Sequence, residues 1–85
     1  MTTTTDNKTR PLYEIAKEIK QDWKKPYFGA VPYLDALKTL DKITDNYFMD
    51  SGKDMVLYFL NNATTWRGEV AKRIKLELKA MAGIK

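Results

Sequence analysis

Apolar residues recur along this chain at helical rather than strand spacing. Leu12, Ile15, Ala16, Ile19 and Trp23 fall at steps of three, four and seven and form one stripe. Glu14, Lys17, Glu18 and Gln21 lie opposite it. Pro11 suits the first helical position, where its missing N–H has no partner to lose. Pro26 ends the helix, because the residue before a proline resists the α region. A first helix is expected over 11–24.

Residues 26–31 (PYFGAV) read as an aromatic turn pivoting on a glycine. Pro32 then restarts a helix at its own first position. Leu34, Leu37, Leu40 and Ile43 are inward candidates, with Asp35, Lys38, Asp41 and Lys42 outside. This predicts a second helix over 32–43. The segment TDNYFMD (44–50) breaks it, since Asp and Asn compete for local backbone bonds.

Ser51-Gly52-Lys53-Asp54 matches a capping box, with Ser51 capping and Asp54 reaching back. The run MVLYFL (55–60) is apolar on almost every side. A helix over 52–63 is favoured over a buried strand by the cap, by continuation through Asn61-Asn62-Ala63, and by the lack of any partner strand in the pattern. It reads as the central, most enclosed helix. Thr64 or Thr65 can cap a last helix over 66–82, whose Val70, Ala71, Ile74, Leu78 and Met81 fall within about 100° of one another. Glu69–Arg73 and Arg73–Glu77 are i,i+4 charge pairs on it. Gly68 would be its third residue, at a cost of roughly 0.5–1 kcal/mol relative to Ala, which points to close approach of a neighbouring helix. Gly83 is a natural stop. The pattern therefore predicts an all-α, compact single domain of four helices over 11–85. The Thr-rich residues 1–10 are expected to be a disordered tail.

Composition excludes more than it assigns. The 85 residues contain no Cys and no His. Disulfides, thiolate metal sites, and Ser-His-Asp or Cys-His catalysis are out of reach. Five aspartates, Asp35, Asp41, Asp45, Asp50 and Asp54, are spaced unlike a calcium loop, and Asp45 and Asp50 read as turn chemistry. No metal, no cofactor and no catalytic residue is expected, and the chain reads as non-enzymatic. No apolar run approaches the roughly 20 residues of a membrane span. The N-terminus lacks the apolar core of a secretory signal, so a cytoplasmic location is expected.

The net charge of +4 is unevenly placed. Residues 66–85 hold six basic residues against Glu69 and Glu77, and so carry the whole of it. On a helical wheel Lys72, Lys75 and Lys79 fall within about 60° of one another, and Arg67 at the helix start lies about 80° from Lys75, so that the four are taken as one basic stripe. Such a stripe is ordinarily a solubilising face. It can also lie against an acidic protein, a membrane surface or a phosphate backbone, so nucleic acid is a second candidate partner. The ten aromatic residues are the other uneven feature. Tyr27, Phe28, Tyr33, Tyr47 and Phe48 cluster in or near the two loops, where they either roof a thin core or anchor a protein partner. Trp66-Arg67-Gly68-Glu69 adds two more residue types common at binding hot spots.

The segments LYEIAKEIKQDWK (12–24), PYFGAVPYLDAL (26–37) and VLYFLNNATTWRGEVAKRIKLELKAM (56–81) resemble short uncharacterised proteins of phages and plasmids of Gram-positive bacteria. In those proteins a run like YFGAVPYL is followed by YFL-N-A-x-x-W-R-G-E. The resemblance implies a small accessory protein of a mobile element, made in the host bacterial cytoplasm, and it carries no activity with it. The expected role is binding of a host or phage protein through Tyr27, Phe28, Tyr33, Trp66 and Arg67. The alternative is nucleic-acid binding through Arg67, Lys72, Lys75 and Lys79. The oligomeric state is left open.

Overall fold

In the computed structural model, which describes residues 10–83, the first amphipathic stripe forms α1 (Leu12–Asp22). Pro11 precedes this helix with extended backbone instead of opening it. The first free amides of α1 are satisfied at long range: Leu12 N–H donates to Asp41 O at 2.8 Å and Tyr13 N–H to Leu40 O at 2.9 Å. Of the expected tail, residues 1–9 lie outside the described residues. Arg10, expected in that tail, is instead held by Glu18 and Glu77.

A turn of 3-10 helix (Phe28–Ala30) leads into α2 (Val31–Leu37). This helix stops well short of the expected residue 43. The carbonyls of Leu40 and Asp41 are bound by the start of α1 and so are withdrawn from helical pairing. Thr39 Oγ1 also donates to Ala36 O at 2.8 Å and closes the last turn. Beyond it, Asp45 accepts from Asp41 N–H and Lys42 N–H at 3.1 and 3.0 Å and fixes a tight turn.

The segment expected only to break a helix also makes a small antiparallel hairpin. β1 (Asn46–Tyr47) pairs with β2 (Asp50–Ser51), Asn46 opposite Ser51 and Tyr47 opposite Asp50. The turn residue Phe48 has a φ of 56°.

The capping box is present and opens α3 (Gly52–Asn61). Asp54 N–H donates to Ser51 Oγ at 3.1 Å, and Ser51 N–H to the Asp54 carboxylate at 3.4 Å. The helix is not enclosed on all sides, as its composition suggested. Met55, Val56 and Phe59 are buried, whereas Lys53, Tyr58 and Asn61 face outward.

The last helix, α4 (Glu69–Ala82), begins three residues later than expected. Thr64 and Thr65 lie in a preceding turn and do not cap it. Gly68 precedes its first residue at a φ of 115°, and a Cβ built there meets nothing within 4 Å. The glycine is thus required by backbone conformation, not by a neighbouring helix. Gly83 ends α4 in the left-handed conformation, φ 74°, as the sequence suggested.

The four described α-helices close a ring around one core: α1 packs on α2 and α4, and α3 packs on the same two. Ile15, Ile19, Leu34, Leu37, Val56, Phe59, Ile74 and Leu78 are fully buried there. Trp23 and Trp66 stack, centroids 5.7 Å apart and planes 13° apart, and Phe59 meets both rings edge-on. The fold is all-α apart from the hairpin.

Ion pairs tie the start of the described chain to its end. Arg10 forks onto Glu77 with two bonds of 3.0 and 2.8 Å and reaches Glu18 at 2.9 Å. Arg73 pairs with the other oxygen of Glu18. The i,i+4 pairs read from α4 are therefore replaced by pairs across the ring. Hydrogen bonds from Arg73 and then Arg10 hold the Glu18 carboxyl below its ordinary value of 4.5, against burial that raises it. The folded chain thus binds this proton less readily than the unfolded chain. The stabilisation is complete above about 4.5 and is lost as pH falls through the lower folded value. Thermal melts of wild type and Glu18→Gln should differ at neutral pH and converge in acid. Parallel curves across that range would rule out Glu18 as a source of acid sensitivity.

Candidate interaction surface

The exposed aromatic residues are held out by a short, pinned turn. Ala30 is buried, and its N–H donates to Tyr27 O at 2.8 Å. This closes the turn and turns its other side chains to the surface. Phe28 is 79% exposed and Tyr27 46% exposed, with ring centroids 4.9 Å apart. A phenyl ring left this far in water forgoes most of its burial energy, about 1.5–3 kcal/mol for a large apolar side chain.

Gly29 lets the Tyr27 ring lie over this turn. A Cβ at Gly29 would meet Tyr27 Cε2 at 2.5 Å and Asn62 Oδ1 at 3.0 Å. Asn62 follows α3, and its side-chain amide donates to Tyr58 O at 2.8 Å. Tyr58 is exposed, and its ring centroid lies 5.3 Å from that of the half-buried Tyr33. Two aromatic pairs, Tyr27 with Phe28 and Tyr33 with Tyr58, thus flank Gly29 and Asn62. Tyr58 was hidden in the sequence by its position inside the run MVLYFL. Its helical phase relative to Met55, Val56 and Phe59 is the signal that places it outside.

Tyr47 packs against the core, while Phe48, 86% exposed, stands at the hairpin tip beside the fully exposed Met49. Trp66 is 2% exposed and belongs to the core cluster, so it cannot serve as a contact residue. Its Nε1–H donates to the Asp22 carboxylate at 2.8 Å. Arg67 is exposed and neither stacks on Trp66 nor pairs with a described aspartate. It lines a shallow groove with Trp66, Gly68, Glu69, Ala71, Lys72 and Lys75.

The basic stripe expected on the last helix is only partly a stripe. Arg67 precedes α4 and so does not share its helical phase. Lys75 turns inward: its Nζ donates to Trp66 O at 2.6 Å and lies 5.9 Å from the Trp66 ring centre. Burial lowers the Lys75 pKa, and Lys79 and Arg67 lower it further. Lys75 therefore closes the turn before α4, while Lys72 and Lys79 remain exposed.

A second basic groove lies on α1. Tyr13, Lys17, Lys20, Gln21 and Lys24, with Lys38 from the end of α2, line a depression of about 580 Å³. Segment charge hid it, because the four lysines of 11–25 stand against Glu14, Glu18 and Asp22 and nearly cancel. Sorting those charges by helix edge is the signal that separates them. Among the described residues no group of three or more acidic side chains is placed to hold a metal ion. No described helix is long and apolar enough to cross a membrane. No protein-family model matches the chain, and no curated protein or solved structure does.

Proposed function

We propose that this is a small non-enzymatic accessory protein of a mobile element that acts in the host bacterial cytoplasm. It binds a host or phage protein through Tyr27, Phe28, Tyr33 and Tyr58. The exposure of Phe28, on a turn pinned by the buried Ala30 and paired with Tyr27, carries this reading. An aromatic side chain held rigidly in water gives large contact area on binding at low entropy cost. The mobile-element setting rests on the resemblance through PYFGAVPYL and WRGE.

The test places a photo-crosslinking phenylalanine analogue at position 28 and, separately, at position 48. Expressed in a host bacterium, the position-28 probe should capture one defined protein that the position-48 probe does not. Tyr27→Ala/Phe28→Ala should melt within a few degrees of wild type, since both side chains are largely exposed. It should weaken binding of the captured protein by roughly 30-fold or more, as loss of a hot spot does. Unchanged binding by this folded variant would reject the surface.

A further inference from the structure

Helix α1 sorts its charges by edge. Glu14, Glu18 and Asp22 run at steps of four along one edge. Tyr13, Lys17 and Lys20 fall within about 60° of one another on the other, and Lys24, just past the helix end, lines the same groove. Two of the three acidic residues are engaged by other elements, Glu18 by Arg73 and Arg10 and Asp22 by the Trp66 indole N–H, while Glu14 is exposed beside Tyr13 and Lys17. The basic edge has no such partners: Lys17, Lys20 and Lys24 form no ion pair with a described residue. Lys38 faces the groove from α2, and its pair with Asp35 is long, 3.6 Å, with both side chains largely exposed.

We propose that this groove binds the backbone of a single-stranded nucleic acid, with Tyr13 as the platform for one base. From Tyr13 to Lys20 the helical edge is about 10 Å long at 1.5 Å per residue, and Lys24 and Lys38 extend the charge beyond it. Along it sit four ammonium groups with Gln21 among them. Lysine binds phosphate as a point charge, without base preference. Tyr13 is 47% exposed among these lysines. A cationic groove with an exposed aromatic ring among its charges is the arrangement by which single strands are held, phosphates on the charges and a base on the ring. A duplex offers Tyr13 no unstacked base, and an acidic peptide offers it no base at all. The site shares no residue with the aromatic patch or with the α4 face.

Titration of the whole chain against labelled oligothymidylate and oligouridylate at low salt tests this by fluorescence anisotropy. Binding of either strand should weaken with salt on a log–log slope of about −3, as four phosphate contacts predict for single strands. Lys17→Gln/Lys20→Gln/Lys24→Gln should lower affinity at least about tenfold and bring the slope to about −1. Tyr13→Ala should weaken binding about fivefold or more and leave the slope unchanged, and Tyr13→Phe should restore it. Lys72→Gln/Lys79→Gln should bind as wild type does. All these side chains are exposed, and melting curves confirm that each variant is folded. Absence of salt-dependent binding would overturn the proposal. So would equal affinity for duplex with Tyr13→Ala neutral, or competition by polyglutamate as strong as by the unlabelled strand.

Discussion

Replacing Trp66 with alanine is expected to lower the melting temperature by roughly 15–30 °C. Truncating a buried Trp or Phe to Ala costs about 3–5 kcal/mol, and each kcal/mol shifts a domain of this size by roughly 4–8 °C. The upper end is favoured here because Trp66 is enclosed by two other rings. It stacks on Trp23 at 5.7 Å and meets Phe59 edge-on at 6.3 Å, so its loss leaves a cavity lined by aromatic faces that cannot collapse easily. It would also leave Asp22 without its indole donor and remove the ring against which Lys75 lies. Trp66→Phe keeps a ring in the stack and gives up the Nε1–H bond, whose acceptor is exposed and returns to water. It should cost only about 1–2 kcal/mol. Thermal melts followed by far-UV circular dichroism measure both variants. Phe28→Ala and Phe48→Ala are the controls, because these rings stand in water and should change the melting point little. A Trp66→Ala protein that melted within a few degrees of wild type would remove Trp66 from the core.

The core position of Trp66 is set by distant partners that no local pattern displays. Trp66 and Arg67 are good hot-spot residue types, but residue type says nothing of burial. Local signals were legible. The capping box at Ser51 and Asp54, the left-handed stop at Gly83, and the apolar stripe of α1 each depend on neighbours a few residues away. What failed depends on distant partners. Leu40 and Ile43 continue the period of α2, yet the chain leaves the helix because the amides of Leu12 and Tyr13 take the carbonyls of Leu40 and Asp41. Glu69, Arg73 and Glu77 satisfy the i,i+4 rule, yet exposed pairs on one helix contribute only about 0.3–0.5 kcal/mol and yield readily to a bidentate alternative. Arg10, 67 residues from Glu77, supplies that alternative. For the surface, Phe28 and Tyr27 were visible as loop aromatics. Tyr58 and the basic edge of α1 became visible once helix phase was fixed.

Gly52→Ala is expected to destabilise the protein by about 2 kcal/mol, although alanine is the better helix former. Gly52 opens α3 and is buried against the turn that follows α2. A Cβ there would lie 2.8 Å from Lys42 O and 2.9 Å from Ile43 O, and both are backbone atoms. The same turn supplies caps to α3: Gly52 N–H donates to Asp45 O at 2.6 Å and Lys53 N–H to Ile43 O at 2.9 Å. Pushing the 42–43 carbonyls away loosens these bonds and disturbs the Asp45 carboxylate that holds the turn. Overpacking of this kind costs about 1–3 kcal/mol, and the propensity gained at a first-turn site recovers less than about 1. Gly29→Ala makes the instructive contrast. Its nearest obstacle is the end of the half-exposed Tyr27 ring, which can swing into water. That variant should lose well under about 1 kcal/mol of stability while displacing a ring of the aromatic patch. Urea midpoints at unchanged m-value measure the pair. Gly52→Ala should shift the midpoint down and Gly29→Ala leave it nearly in place. Equal midpoints would mean that the 42–45 turn does not seat on α3, and with that the link between the end of α2, the start of α1 and the cap of α3 would fail.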